Sequence, residues 1–173
     1  MRKLFLLFLF IPIVTFANMY PAIVTMNDGT TKKGTIKLPE YPDDNRVKFK
    51  SESGDTEKLD IEDVSFFEII NKKKVKYVTM KVAEPKGFSF NNFAIRNKKQ
   101  WLKEIIVNKI SIYAGYYIYN PGNKTGGGSI YYLKKEKDDF AYYFTEDSSG
   151  GFTVSVNDFK NLKKILSVIF KDD

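Results

Sequence analysis

The chain has 173 residues, 43% of them hydrophobic, and 28 Lys and Arg against 21 Asp and Glu, for a formal net charge of +7. That apolar share supports a packed core and argues against wholesale disorder. There is no cysteine and no histidine, which excludes disulfides, thiol nucleophiles, thiolate metal sites, histidine-based triads and nearly all zinc and copper sites. The remaining chemistries are carboxylate pairs, Ser-Lys dyads and hard cations held by oxygen.

In chain order, the first element is a targeting segment. Met1, Arg2 and Lys3 precede an apolar run from Leu4 to Val14, and Thr15-Phe16-Ala17 follow. That order matches a positive n-region, an apolar h-region and a small-residue cleavage site. The run is shorter than the roughly 20 residues a membrane-spanning helix needs, and it contains Pro12. Residues 1–17 are therefore expected to be a cleaved signal peptide, leaving Asn18 first in an exported, periplasmic or extracellular protein with no transmembrane segment. Loss of Arg2 and Lys3 lowers the charge to +5, because residues 1–17 hold no acid.

Short alternating runs with turn residues between them come next, the pattern of antiparallel sheet. Strands are expected at 22–26, 35–38, 46–50, 58–61, 64–70 and 75–82. Asn27-Asp28-Gly29 marks a tight turn, and Gly34 marks a bulge or a close backbone approach. Six short strands suggest a curled sheet or a small barrel. Glu84-Pro85-Lys86-Gly87 interrupts the pattern and is the candidate boundary between a β-rich subdomain at 18–84 and a second one at 85–173, with a single domain over 18–173 as the alternative.

Beyond it, Asn97 is placed to cap an internal helix whose stripe is Trp101, Leu102, Ile105 and Ile106. Ile110 to Tyr119 reads as a strand, and 120–128 as a loop. Strands are expected again at 129–134, 140–145 and 152–156. A closing helix from Asp158 to Phe170, capped by Asn157, has Phe159, Leu162, Ile165, Leu166 and Ile169 on one face. The expected fold is thus α+β and mainly β: a curled antiparallel sheet or small barrel, then a second antiparallel sheet with an internal and a C-terminal helix.

Several candidate sites carry chemistry. The glycine-rich stretch Gly122 to Gly128 fails as a phosphate loop, because Lys124-Thr125 precede the glycines and a strand follows. The acid clusters Asp43-Asp44, Asp60/Glu62/Asp63, Asp138-Asp139 and Glu146-Asp147 lack calcium-loop spacing and fall at turns, where Asp is expected for backbone reasons. No metal or cofactor is implied. Eight of the eleven tyrosines lie between Tyr113 and Tyr143. On strands, each Tyr-Tyr pair presents one ring to either side of the sheet. Tyr113, Tyr117, Tyr119, Tyr131 and Tyr143 are the candidate ligand-binding residues, offering hydroxyl-tipped rings to a glycan or peptide. The alternative is that these rings pack the sheet.

The strand order of the first half is similar to that of small SH3-like or Sm-like barrels. RNA binding, known for the Sm-like type, is discounted on export and modest charge, so no nucleic-acid partner is expected. The chain also resembles small exported proteins of uncharacterised function typical of Bacteroidetes. The residues that carry this are Asn27-Asp28-Gly29-Thr30-Thr31-Lys32-Lys33-Gly34-Thr35-Ile36, Asp60-Ile61-Glu62-Asp63-Val64-Ser65-Phe66 and Lys109-Ile110-Ser111-Ile112-Tyr113. Ser129-Ile130-Tyr131-Tyr132-Leu133-Lys134-Lys135 and the end Phe170-Lys171-Asp172-Asp173 extend it. The resemblance implies compartment and architecture, and no site residues.

The leading expectation is a non-enzymatic binding or interaction module of the cell envelope, with an envelope protein or glycan as partner. One alternative is a carboxylate-dependent hydrolase of envelope glycans, which needs two acids converging in a cleft. Another is a structural subunit of an envelope assembly, which needs an exposed apolar patch.

Overall fold

The computed structural model describes residues 18–71, 74–86, 89–117, 127–148 and 156–171. The expected signal peptide, Tyr119, most of the glycine-rich stretch and residues 152–155 of the strand expected near Phe152 lie outside them. The elements are β1 (Met19–Met26), β2 (Thr31–Lys37), β3 (Arg46–Ser51), β4 (Thr56–Asp60), β5 (Val64–Ile69), β6 (Val75–Lys86), β7 (Ser89–Ile95), β8 (Gln100–Ile106), β9 (Ile110–Tyr117), β10 (Gly128–Lys135), β11 (Phe140–Ser148) and α1 (Val156–Ile169). The protein is mainly β. Among the described residues no helix is long and apolar enough to cross a membrane.

The first half curls as its alternation predicts. β5, β1, β2, β3 and β4 lie side by side, all antiparallel. Inward positions are apolar: Val24, Ile36, Phe49, Val64 and Phe67 have no exposed surface. Two glycines make the curl possible. Gly29 adopts φ 83° in the β1–β2 turn, where Asp28 Oδ1 accepts from the Thr30 backbone N–H at 2.8 Å. At Gly34 a Cβ would sit 2.1 Å from the Lys50 carbonyl oxygen and 2.8 Å from the Phe49 ring. Only a bare backbone lets β2 and β3 approach there, the close approach expected of Gly34.

The second half closes on itself. β6 pairs with β5, then with β8, and β8, β9, β10 and β11 follow in antiparallel order. β11 then returns beside β6 in parallel, Ala141 opposite Val82, so that β6, β8, β9, β10 and β11 form a closed five-stranded barrel. Val82, Leu102, Tyr113, Tyr132 and Ala141 fill it. Ile165 and Ile169 of α1 pack outside with Leu133 and Phe93.

Three expectations are corrected. The internal helix is instead strand β8: Trp101 and Leu102 are both buried although adjacent. A strand covered on both faces can bury consecutive apolar residues, and a short apolar run does not separate that case from a helix. The second sheet is a continuation of the first, because β6 belongs to both regions. Finally, β6 runs through Glu84 and Pro85 to Lys86. Pro85 is accommodated beside a register shift against β7, a strand the sequence pattern did not reveal.

Candidate functional site

Among the described residues, two of the concave sites lie against the barrel. The first is a cleft of about 500 Å³ between the outer wall of the barrel and the first half. Strand alternation sends Tyr77, Trp101 and Tyr116 outward from β6, β8 and β9 while their neighbours fill the barrel. Facing them are Tyr20 of β1 and the segment Lys37–Glu40 after β2. The rings are fixed from behind: Tyr77 stacks on Phe67 at 4.9 Å, and Phe67 meets Trp101 at 5.7 Å. Trp101 has its indole N–H bound to the Asp44 carbonyl at 2.9 Å. Burial pushes the Tyr77 phenol up to about 12, so it stays a neutral hydroxyl at physiological pH. At the rim, the Lys103 ammonium lies 5.4 Å above the Tyr116 ring, and Lys37 pairs with Glu40 at 2.5 Å. The result is an aromatic floor with a charged rim, suited to stacking and hydrogen bonding rather than to bond cleavage.

The second site is one mouth of the barrel, a cavity of about 300 Å³ under the loop Tyr41-Pro42-Asp43. The Trp101 backbone N–H donates to the Pro42 carbonyl at 2.7 Å and holds that loop down. A Cβ on Gly115 would come 2.9 Å from Pro42 Cγ, so glycine makes room for the loop. Below it runs a polar chain. The buried Tyr132 hydroxyl donates to Gln100 Oε1 at 3.0 Å, Gln100 Nε2 donates to Glu84 Oε1 at 3.4 Å, and Glu84 pairs with Arg96. Burial raises the Tyr132 pKa strongly, and the nearby Glu84 charge adds to it. Every member of this chain has a partner, which marks it as structural.

The tyrosines singled out from the sequence do not share one surface. Tyr113 is buried inside the barrel. Tyr143 meets Tyr132 edge-on at 6.5 Å. Tyr117 reaches the mouth and donates to Glu146 Oε1 at 2.7 Å; burial and that bond push its phenol up to about 12. Tyr131 pairs with Ala114 while Tyr132 pairs with Tyr113, so Tyr131 faces the other side of the wall. Tyr119 lies outside the described residues. Of the described tyrosines between 113 and 143, the one that lines the cleft is Tyr116, 37% exposed, on the opposite parity from Tyr113 and Tyr117. Alternation alone could have raised Tyr116, but nothing in the local pattern says which face of β9 is lumen. Trp101 and Tyr77 were hidden further, the first by its helical reading and the second by lying in an ordinary strand.

Of the acid clusters, Asp44 and Asp60 serve the local backbone. Asp44 accepts from the Glu40 and Tyr41 N–H groups at 2.7 and 3.1 Å, and Asp60 from the Glu62 N–H at 3.1 Å and from Arg46 at 3.2 Å. Among the described residues no three carboxylates come together as metal ligands. Comparison with protein-family models, curated proteins and solved structures finds no match.

Proposed function

We propose that the protein is a non-enzymatic binding module of the cell envelope, exported by removal of residues 1–17, and that its ligand lies in the cleft of Tyr20, Tyr77, Trp101 and Tyr116. The observation that carries this reading is the cleft itself: pre-formed, open, presenting Tyr20 and Tyr116 in front of the buried Tyr77 and Trp101, and rimmed by Lys37, Glu40 and Lys103. Its volume falls within the range of small-ligand sites. Flat aromatic faces with hydroxyl tips suit the apolar faces and hydroxyls of a glycan segment. Among the described residues Glu40 is the one carboxylate lining the cleft, and it pairs with Lys37; a lone, paired carboxylate favours recognition over a two-carboxylate acid–base mechanism.

The test is calorimetric titration of the exported protein with soluble oligosaccharides released from its own envelope. Tyr116→Ala is expected to weaken binding about tenfold, the loss of one stacking platform with its hydrogen-bonding tip. Unchanged affinity in Tyr116→Ala and Lys103→Ala, with binding intact in the parent, would remove the cleft from consideration.

A further inference from the structure

The end of the barrel opposite the Pro42 loop exposes apolar residues that neither the core nor the cleft accounts for. Ile105, Ile106, Val107 and Ile110 surround the β8–β9 turn, and Ile70 follows β5; all five are 42–63% exposed. The strand registers bring their turns together. Tyr77 pairs with Lys103 and Lys76 lies 3.9 Å from Glu104, so the end of β8 runs beside the start of β6, where Val75 is the partner of Ile69. The β10–β11 turn lies on the other side, tied by the Glu136 backbone N–H donating to the Lys109 carbonyl at 3.0 Å. Three adjacent turns therefore form one protruding end.

Charge and size together select what this end meets. Among the described residues each turn carries an exposed lysine, Lys74, Lys109 and Lys137, and in the sequence Lys72 and Lys73 stand beside Lys74. The acids here are Glu68 and Glu104 on strands, the latter 3.9 Å from Lys76, and Glu136, Asp138 and Asp139 on the β10–β11 turn alone. The two apolar turns themselves thus hold lysine and no acid. The exposed apolar area is on the order of a few hundred Å², short of the roughly 800 Å² per partner that a stable protein interface buries. Protruding aliphatic tips beside lysines instead match a bilayer interface, where side chains enter the headgroup boundary and ammonium groups meet phosphate.

We propose that this end docks on an anionic lipid surface, with Ile106 and Val107 entering the headgroup region and Lys74 and Lys109 on lipid phosphates. The docking is peripheral and leaves the cleft on the barrel flank accessible. Protein exported by cells expressing the full chain is sedimented with vesicles of phosphatidylcholine, with or without phosphatidylglycerol. Binding is expected only with phosphatidylglycerol, weakening as salt rises. Val107→Asp and Lys109→Glu should each reduce it about tenfold with an unchanged melting temperature, since both side chains are exposed. The proposal is overturned if the parent fails to sediment, if it binds neutral vesicles equally, or if folded Val107→Asp sediments like the parent. It is equally overturned if the parent is a dimer that Val107→Asp dissociates.

Discussion

The curled sheet β1–β5 and the barrel of β6 and β8–β11 use the same kind of strand pairing but fill their interiors differently. Inside the first, the buried positions Ala22, Val24, Ile36, Val47, Phe49 and Phe67 are apolar. Inside the second, Tyr113 and Tyr132 share the space with Val82, Leu102 and Ala141, and Gln100 is buried at the mouth. An apolar interior is non-directional and tolerates small adjustments. A lumen with hydroxyl and amide groups must satisfy each of them, so it specifies register through Tyr132–Gln100–Glu84. The first region supplies a stable frame. The second sets the angles at which the outward rings of β6, β8 and β9 meet that frame, and so shapes the cleft.

Trp101 is where the two regions can be uncoupled. It packs on Phe67 of the first core and anchors the Pro42–Asp44 loop with both its backbone and indole N–H groups. Trp101→Ala should destabilise the protein by about 3–5 kcal/mol. Urea unfolding followed by circular dichroism would measure it. A loss below about 1 kcal/mol would mean that the regions are held together elsewhere.

The same residue shows where legibility ended. The first half was readable because one face of each strand is core and the other is not, as in Arg46-Val47-Lys48-Phe49-Lys50, where only Val47 and Phe49 are buried. The C-terminal helix was readable from its apolar stripe, and among its described side chains Ile165 and Ile169 are buried. β8 broke the rule because both of its faces are covered, the inner one at Leu102 by barrel closure through the β6–β11 pairing and the outer one at Trp101 by Phe67 and the Pro42–Asp44 loop. That pairing joins residues about sixty positions apart in the chain, and no local period encodes it. The candidate site suffered for the same reason: which tyrosines line the lumen depends on closure, and the bulge between Tyr131 and Tyr132 shifts the register again.

The first region can be disturbed alone at Gly34. Alanine there drives a methyl group into the Lys50 carbonyl and the Phe49 ring, and backbone cannot yield as a flexible side chain would. A cost of about 2–3 kcal/mol is expected. Hydrogen exchange should report weakened protection in β2 and β3 before the barrel strands respond. Uniform loss of protection would show that the two regions open as one unit.

The smallest change addresses the lumen. Tyr132→Phe keeps the ring but leaves Gln100 Oε1 without its donor, at a cost of about 1–2 kcal/mol near neutral pH. Its pH signature separates it from the other two variants. The phenols of Tyr77, Tyr117 and Tyr132 are all raised above 10.0 by burial. The fold therefore favours their neutral forms, and that stabilisation is complete below pH 10 and lost as pH rises through the raised values. Tyr77 and Tyr117 titrate at about 12, so the parent should lose stability between pH 10 and 12. Burial raises Tyr113 as well; Tyr132→Phe removes one of these groups and should make that decline shallower, as measured by urea unfolding at stepped pH. If the parent and variant curves stay parallel, Tyr132 gains no more from burial in the fold than it has in the unfolded chain, and the polar lumen loses its assigned role in fixing register.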